Sequence, residues 1–208
     1  RQANPEPDGN QQDRGEKGHA PAPAQQRFLR HQVQQQPEDA GGELGQHDHR
    51  GHACQFERDE QTGKFDALIC AAGNVTFAPL GEMNADSFAL GLKDKLMGQV
   101  NLLLIGREYA NDGASFTFTT GVLSHDPIRS GASAALVNGA LDSFVRAAAI
   151  ELPRGLRVNS ISPTVLLEAM GSYAPYFRGY KPAAGADVAL AYAKSVEGLQ
   201  TGQTFIVG

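Results

Sequence analysis

FDALICAAG, at residues 65–73, is a short apolar run that ends in three small residues. Such runs are typical of a strand that is buried on both faces of a parallel sheet. Small residues at the carboxyl end allow other groups to approach the backbone closely. The run therefore predicts a buried strand over 65–70, followed by an accessible stretch of backbone.

Helix and strand patterns alternate after this run. Apolar residues at three- and four-residue spacing predict a helix over 84–110, with Asn84 as its N-cap and a turn at 111–113. β-Branched and aromatic residues predict a strand over 115–119. The other predicted elements are a long buried helix at 131–152, a strand at 156–161, an irregular loop at 165–183, a helix at 186–196 and a strand at 202–207.

This order predicts an α/β fold, a doubly wound parallel sheet of the Rossmann-like kind. Ligands of such sheets bind beyond the carboxyl ends of the strands. Those ends are Ala72-Gly73, Thr119-Thr120-Gly121 and Ser162-Pro163-Thr164. The sequence therefore predicts a binding site formed by these three segments.

The first 63 residues have a different composition. They hold 12 Gln and 5 of the 6 His, but only five residues from Val, Ile, Leu, Phe, Met and Tyr. So few large apolar residues cannot offset the chain entropy that is lost on folding. We expect a boundary between a low-complexity segment at 1–63 and an ordered domain at 64–208, with only a short helix over 28–33. The segment is either a genuine disordered tail or the product of a wrong reading frame.

Composition also bears on ligands and location. His47, His49, His52 and Cys54 lie close together in sequence, but no second pair completes a tetrahedral set, so we predict no metal site. With 18 Lys+Arg against 23 Asp+Glu, the chain has no basic excess for nucleic acid. No apolar run is long enough to span a membrane. Two cysteines are too few for a disulfide framework, which favours the cytoplasm.

Several of these stretches resemble the short-chain dehydrogenase/reductase family. Residues 66–73 look like that family's fourth strand and its Asn-Asn-Ala-Gly turn, with both Asn replaced. Residues 146–163 resemble its long helix and sixth strand, with the Arg-Val-Asn signature at 157–159 and Thr164 in place of the usual Gly after Pro163. Thr201-Gly202-Gln203 is a further family mark. The resemblance covers residues 64–208, and it lacks the family's Gly-rich first turn.

The resemblance also places the family's catalytic positions. The Tyr position falls on Ala134, the Lys position on Asn138, the Ser position on Gly121 and the Asn position on Lys95. All four residues differ from the family pattern. Alanine cannot donate a proton, so the family's usual general acid is missing.

Candidate site residues follow from the strand ends and from these positions. For catalysis they are Lys95 as a positive charge, Thr120 to orient a substrate oxygen, and Asn138 to hold the ribose hydroxyls. For coenzyme binding they are Ala72, Gly73, Thr119, Pro163 and Thr164. A relocated proton donor is expected among Tyr173, Tyr176 and Tyr180 of the 165–183 loop, and His125 could also titrate near neutral pH. Each of these residues also has a purely structural interpretation, as a packed or solvated side chain.

The resemblance implies an oxidoreductase that transfers a hydride between NAD or NADP and a small carbonyl or alcohol. The 131–152 helix is apolar over most of its circumference and must be buried on two sides, which predicts a homodimer or homotetramer formed through the helices at 84–110 and 131–152. Two alternatives remain open. The chain could be a non-catalytic member that binds a dinucleotide or metabolite, or an inactive truncated or frameshifted product.

Overall fold

A computed structural model describes residues 28–31 and 63–208 of the chain. In these residues five parallel strands form one sheet in the order β1-β2-β3-β4-β5. The strands are β1 (Phe28–His31), β2 (Phe65–Cys70), β3 (Ala110–Thr119), β4 (Arg157–Pro163) and β5 (Thr204–Val207). Because neighbouring strands are parallel, crossovers connect β2 to β3, β3 to β4 and β4 to β5.

Helices form the crossovers after β2. They are α1 (Ala85–Gly91), α2 (Met97–Gly106), α3 (Ala132–Glu151), α4 (Met170–Tyr173) and α5 (Gly185–Glu197). A π-helical segment, Leu92–Leu96, joins α1 to α2. Asn84 caps α1 in a capping box with Ser87, which confirms the predicted helix start. No helix among residues 63–208 is both long and apolar enough to cross a bilayer.

The sheet is covered on both faces, as predicted. On one face Phe116 and Phe118, both fully buried, pack in a core with Leu103 of α2 and with Leu141 and Val145 of α3. Alternate residues of β3 point to the opposite face. There the Thr117 hydroxyl lies 2.7 Å from the Ser195 hydroxyl of α5. The fold is therefore a doubly wound parallel sheet.

The Arg-Val-Asn signature at 157–159 has a structural role here. The Arg157 guanidinium donates to the carbonyls of Ser195 and Val196 at 2.9 and 2.8 Å, which satisfies the end of α5. The Asn159 amide accepts from the Gln203 backbone N–H at 3.0 Å. These bonds hold α5 and the start of β5 against β4.

Two local predictions are wrong. Residues 28–31 are a strand rather than part of a helix, because their backbone pairs with the edge of β2, and sheet pairing overrides a weak local helix preference. Residues 111–113 are not a turn between helix and strand, because β3 already begins at Ala110, which pairs with Phe65. The turn residues are accommodated by a shift of register within β2 and by a φ of +76° at Gly113. The histidine cluster at 47–52 and Cys54 lie outside the described residues.

Candidate active site

The carboxyl ends of β2, β3 and β4 lie side by side. Cys70 pairs with Phe118, and Thr119 pairs with Ile161. Beyond this register the Thr120 N–H donates to the Ile161 carbonyl at 2.8 Å. The segments that follow the three strands therefore meet at one edge of the sheet, which is where the sequence placed the binding site.

Gly73 and the π-helical segment are in close contact at this edge. A Cβ atom added at Gly73 would lie 2.6 Å from Lys95 Cγ and 2.7 Å from Lys95 Cα, and Gly73 has a φ of +134°. The buried carboxylate of Asp94 accepts from the Asn74 backbone N–H at 2.6 Å and from the Asn74 amide at 3.0 Å. Single π-helical turns inside α-helices are frequent at functional sites. Here the turn holds Lys95 against the loop that follows β2.

The partly buried Lys95 side chain reaches across the end of β3. Its ammonium donates to the Thr120 carbonyl at 3.2 Å. Burial lowers the pKa of Lys95 from 10.5 to about 8, although the nearby charges of Asp142 and Cys70 oppose this shift. The lysine therefore titrates much closer to neutral pH than an exposed lysine does.

Asn138 of α3 binds the next carbonyl along the chain. Its amide Nδ2 donates to the Gly121 carbonyl at 3.4 Å. Its Oδ1 atom is buried and has no hydrogen-bond partner among the described residues. A Cβ at Gly121 would lie 3.0 Å from Nδ2, so a larger residue there would crowd the amide. Lys95 and Asn138 thus converge on two consecutive carbonyls at the same strand end.

Asp142 lies one helical turn beyond Asn138 and is almost fully buried. Its carboxylate accepts from the hydroxyls of Ser160 at 2.9 Å, Ser124 at 3.0 Å and Thr204 at 3.2 Å. It joins α3 to two strands and places a negative charge near Lys95. The sequence analysis did not identify Asp142. The sequence feature that could have identified Asp142 is a carboxylate on the mostly apolar 131–152 helix, four residues after Asn138.

Ala134 is the residue on which the resemblance places the family's Tyr position. It is buried in an apolar cluster with Leu123, Val165 and Phe177. Tyr180 also packs against this cluster. Side chains from three separate segments of the chain therefore pack around Ala134.

A groove with a volume of about 710 Å³ adjoins the cluster. Ile128 and Tyr180 belong both to the groove wall and to the cluster around Ala134. The exposed side chains of Arg129 and Arg178 also line the groove. The groove therefore lies beside the cluster that surrounds Ala134, and Ala134 itself is not among the residues that line it.

The tyrosines of the 165–183 loop do not contact Lys95 or Asn138 through any hydrogen bond. The Tyr180 hydroxyl donates to the Asp126 carbonyl at 3.0 Å, and the loss of solvent raises its pKa. Tyr173 and Tyr176 are exposed. His125 is also exposed, with its Nε2 3.8 Å from the Asp142 carboxylate.

The predicted coenzyme residues differ in what their side chains do. The Thr119 hydroxyl donates to the Cys70 carbonyl at 2.7 Å and is also hydrogen-bonded to the Tyr192 hydroxyl. Its hydrogen bonds therefore stabilise the fold. Thr164 beyond β4 has a buried hydroxyl without a partner among the described residues. Thr120 has a buried hydroxyl that donates to the Ile161 carbonyl at 3.3 Å. Residues 63–208 contain no cluster of His, Cys, Asp and Glu that could hold a metal ion.

A doubly wound parallel sheet with polar groups at its carboxyl edge is typical of nucleotide-binding α/β proteins. A family model described as "Enoyl-(Acyl carrier protein) reductase" matches residues 47–204. The chain belongs to the short-chain dehydrogenase/reductase family. No curated protein gave a significant match.

Solved structures agree with this family. The protein lin1944 from Listeria innocua is 48% identical, with 72% of this chain and 74% of that chain covered and a TM-score of 0.70. A small-chain dehydrogenase in complex with NADPH is 26% identical, with 70% and 73% covered and a TM-score of 0.62. A second small-chain dehydrogenase is 27% identical, with 70% and 69% covered and a TM-score of 0.60.

Proposed function

We propose that the protein is an oxidoreductase that transfers a hydride between NAD or NADP and a small carbonyl compound or alcohol. The observation that carries this proposal is the buried Asn138 Oδ1 atom at the carboxyl edge of the sheet, which has no donor among residues 28–31 and 63–208. A buried acceptor without a partner costs on the order of 1–3 kcal/mol, so it indicates a ligand that supplies the donor. A ribose hydroxyl of a dinucleotide is such a donor.

The residues at the strand ends suit a nicotinamide coenzyme. Asn138 would accept from the ribose. The Thr164 hydroxyl, which has no partner in the described part of the chain, would bind the part of the coenzyme beyond β4, next to Pro163. Ala72 and Gly73 add no bulk at the end of β2. The bound coenzyme supplies or accepts the hydride. The solved NADPH complex of a family member supports this assignment.

The groove beside Ala134 is the proposed substrate site. Its walls combine apolar groups with the guanidinium groups of Arg129 and Arg178, so both neutral and carboxylate-bearing carbonyl compounds are suitable. Lys95 and Thr120 lie at the strand end and would orient the reacting oxygen. Their roles rest on their placement beside the Gly73 loop.

A coenzyme titration tests the proposal. Purified protein is titrated with NADPH and with NADH while nucleotide fluorescence is followed, and a panel of small carbonyl compounds is then assayed for coenzyme oxidation. Asn138→Ala should weaken coenzyme binding about tenfold, since one buried hydrogen bond contributes roughly 1–1.5 kcal/mol. The matched control is Asn101→Ala, on the exposed face of α2. Wild-type protein that binds neither nucleotide would refute the proposal.

The burial of Ala134 favours a second candidate, a family member that binds a dinucleotide without catalysis. An apolar cluster fills the position where the family keeps its proton donor. Coenzyme binding without turnover of any carbonyl in the panel would support this candidate over the enzyme.

We further propose that the protein is a homodimer or homotetramer. Three large apolar side chains on the outer faces of α2 and α3 are 44–47% exposed: Leu104, Ile105 and Leu136. Exposed apolar residues on adjacent helices are typical of subunit interfaces. Sedimentation of the purified protein as a monomer alone would refute this proposal.

A further inference from the structure

The hydroxyl that the family uses as a proton donor is missing, yet carbonyl reduction still requires a proton for the oxygen. Among the described residues, we compare three candidate donors near the strand ends: Lys95, Tyr192 and His125. Tyr192 is hydrogen-bonded to Thr119, and burial raises its pKa above the ordinary value of 10.0. A phenol with a raised pKa is a weak acid near neutral pH. His125 is exposed and lies beside Asp142, with no hydrogen bond to the end of β3.

Lys95 differs from both competitors in position and in hydrogen bonding. An ammonium group carries three N–H donors. The Thr120 carbonyl is the one acceptor that the described residues offer to the Lys95 ammonium, at 3.2 Å. Two donors therefore remain for another group. The contact with Gly73 fixes the base of the side chain, since Lys95 Cα and Cγ both lie against that glycine.

We propose that Lys95 donates the proton to the carbonyl oxygen of the substrate as the carbonyl carbon receives a hydride. This inference rests on the proposed function. The new C–H bond takes its electron pair from the hydride, which oxidises the reduced nicotinamide. The new O–H bond takes the Lys95 proton. Lys95 is left as a neutral amine, which regains a proton from water.

The surroundings of Lys95 support this role. The Lys95 ammonium donates to the Thr120 carbonyl after β3, and Asp142 of α3 and Cys70 of β2 act on its pKa through their charges. Asp142 stabilises the ammonium, whereas burial destabilises it, and the pKa settles at about 8. A general acid works best when its pKa lies near the working pH. By the resemblance, Asn138 lies at the family's Lys position and Lys95 lies at the family's Asn position. The positively charged side chain is therefore on the π-helical segment in this chain, and not on α3.

Substitutions at Lys95 test the proposal against a purely electrostatic role. Lys95→Met should lower kcat for carbonyl reduction by about 100-fold or more, with coenzyme affinity changed less than about threefold. Lys95→Arg should be similarly impaired, because a guanidinium keeps its charge but does not release its proton. Lys93→Met, at an exposed position of the same helical turn, is the control and should retain wild-type kcat. Full activity in either Lys95 variant would overturn the proposal and leave the proposed function intact.

A second measurement does not need turnover. Limiting amounts of an amine-acylating reagent are applied to the protein without coenzyme across pH 6–11, and labelling of Lys95 and Lys93 is quantified by peptide mass spectrometry. Lys95 should become reactive with a midpoint near pH 8, as its pKa implies. A midpoint near 10.5, the ordinary lysine value, would overturn the proposal. Wild-type protein that binds coenzyme but reduces no carbonyl would overturn both this inference and the enzymatic function.

Discussion

Gly73 and Lys95 are packed so closely that no side chain fits between them. A Cβ atom at Gly73 would lie 2.7 Å from the Lys95 Cα, which is backbone and cannot rotate away. Gly73 also has a φ of +134°, a conformation that other residues rarely adopt. The small residue after β2 is therefore needed to place the lysine.

Gly73→Ala should destabilise the fold by roughly 2–4 kcal/mol, because it adds backbone strain and a steric overlap. It should also weaken coenzyme binding. Urea unfolding and a coenzyme titration measure the two effects. Gly81→Ala is the control, since a Cβ there meets nothing within 4 Å, and it should change stability by less than about 0.5 kcal/mol. Equal stability of the two variants would contradict the close packing.

Lys95→Met should stabilise the protein near pH 7 although it lowers kcat. The ordinary pKa of a lysine is 10.5, and the pKa of Lys95 in the folded protein is about 8. Below pH 8 the buried ammonium thus costs on the order of 3 kcal/mol, and this cost disappears as pH rises from about 8 to 10.5. The stability advantage of Lys95→Met, measured by urea unfolding, should shrink over that range. A constant difference between pH 7 and pH 10 would contradict the shifted pKa.

Carbonyl reduction by the wild-type protein should lose activity as pH rises through about 8, because the neutral amine of Lys95 cannot donate a proton. Alcohol oxidation should rise over the same range, since the neutral amine accepts a proton. Initial rates at saturating coenzyme measure both profiles. Parallel profiles for the two directions would contradict the assignment.

Asp142→Asn should lower the pKa of Lys95 further. The Asp142 carboxylate stabilises the ammonium, so its removal favours the neutral amine. The midpoint of Lys95 acylation should move to lower pH. Glu151→Gln, at an exposed position of α3, should leave that midpoint unchanged. A shift to higher pH would show that Asp142 does not act through its charge.

Ala134→Tyr should not increase turnover. Ala134 is 3% exposed and enclosed by Leu123, Val165 and Phe177, so a phenol there overpacks the cluster and destabilises the fold by roughly 1–3 kcal/mol. Ala140→Tyr, at an exposed position of the same helix, is the control for helix tolerance. A tenfold gain in kcat for Ala134→Tyr would instead show that the position is still open to substrate.

Replacement of Leu104 and Leu136 by Glu should shift the protein toward monomer in sedimentation velocity. Both side chains are almost half exposed in the single chain, and burying their charged replacements in an interface is unfavourable. Leu199→Glu, at a 93% exposed position before β5, should leave the sedimentation coefficient unchanged. An unchanged sedimentation profile for the double variant would place the interface elsewhere.

Local patterns in the sequence predicted most strands and helices of residues 65–207, but they missed α4 inside the predicted irregular loop at 165–183. The run at 65–70 and the apolar helix at 131–152 lie within a residue of their predicted bounds, because burial of long apolar segments leaves few alternatives. The strand-end segments were also predictable, since parallel strands connected by helices place their carboxyl ends at one edge. The predicted turn at 111–113 is wrong. Asn, Asp and Gly favour turns, but pairing with β2 outweighs that preference.

The sequence by itself determined the α/β class, and it predicted the edge of the sheet at which we propose the site. Only the tertiary structure decided that Lys95 and Asn138 bind neighbouring carbonyls and that Asp142 lies close enough to act on the lysine. The physical reason is that periodicity reports which face of an element is buried. Hydrogen bonds, pKa shifts and the fit of a side chain against Gly73 depend instead on distances between segments that are far apart in the chain.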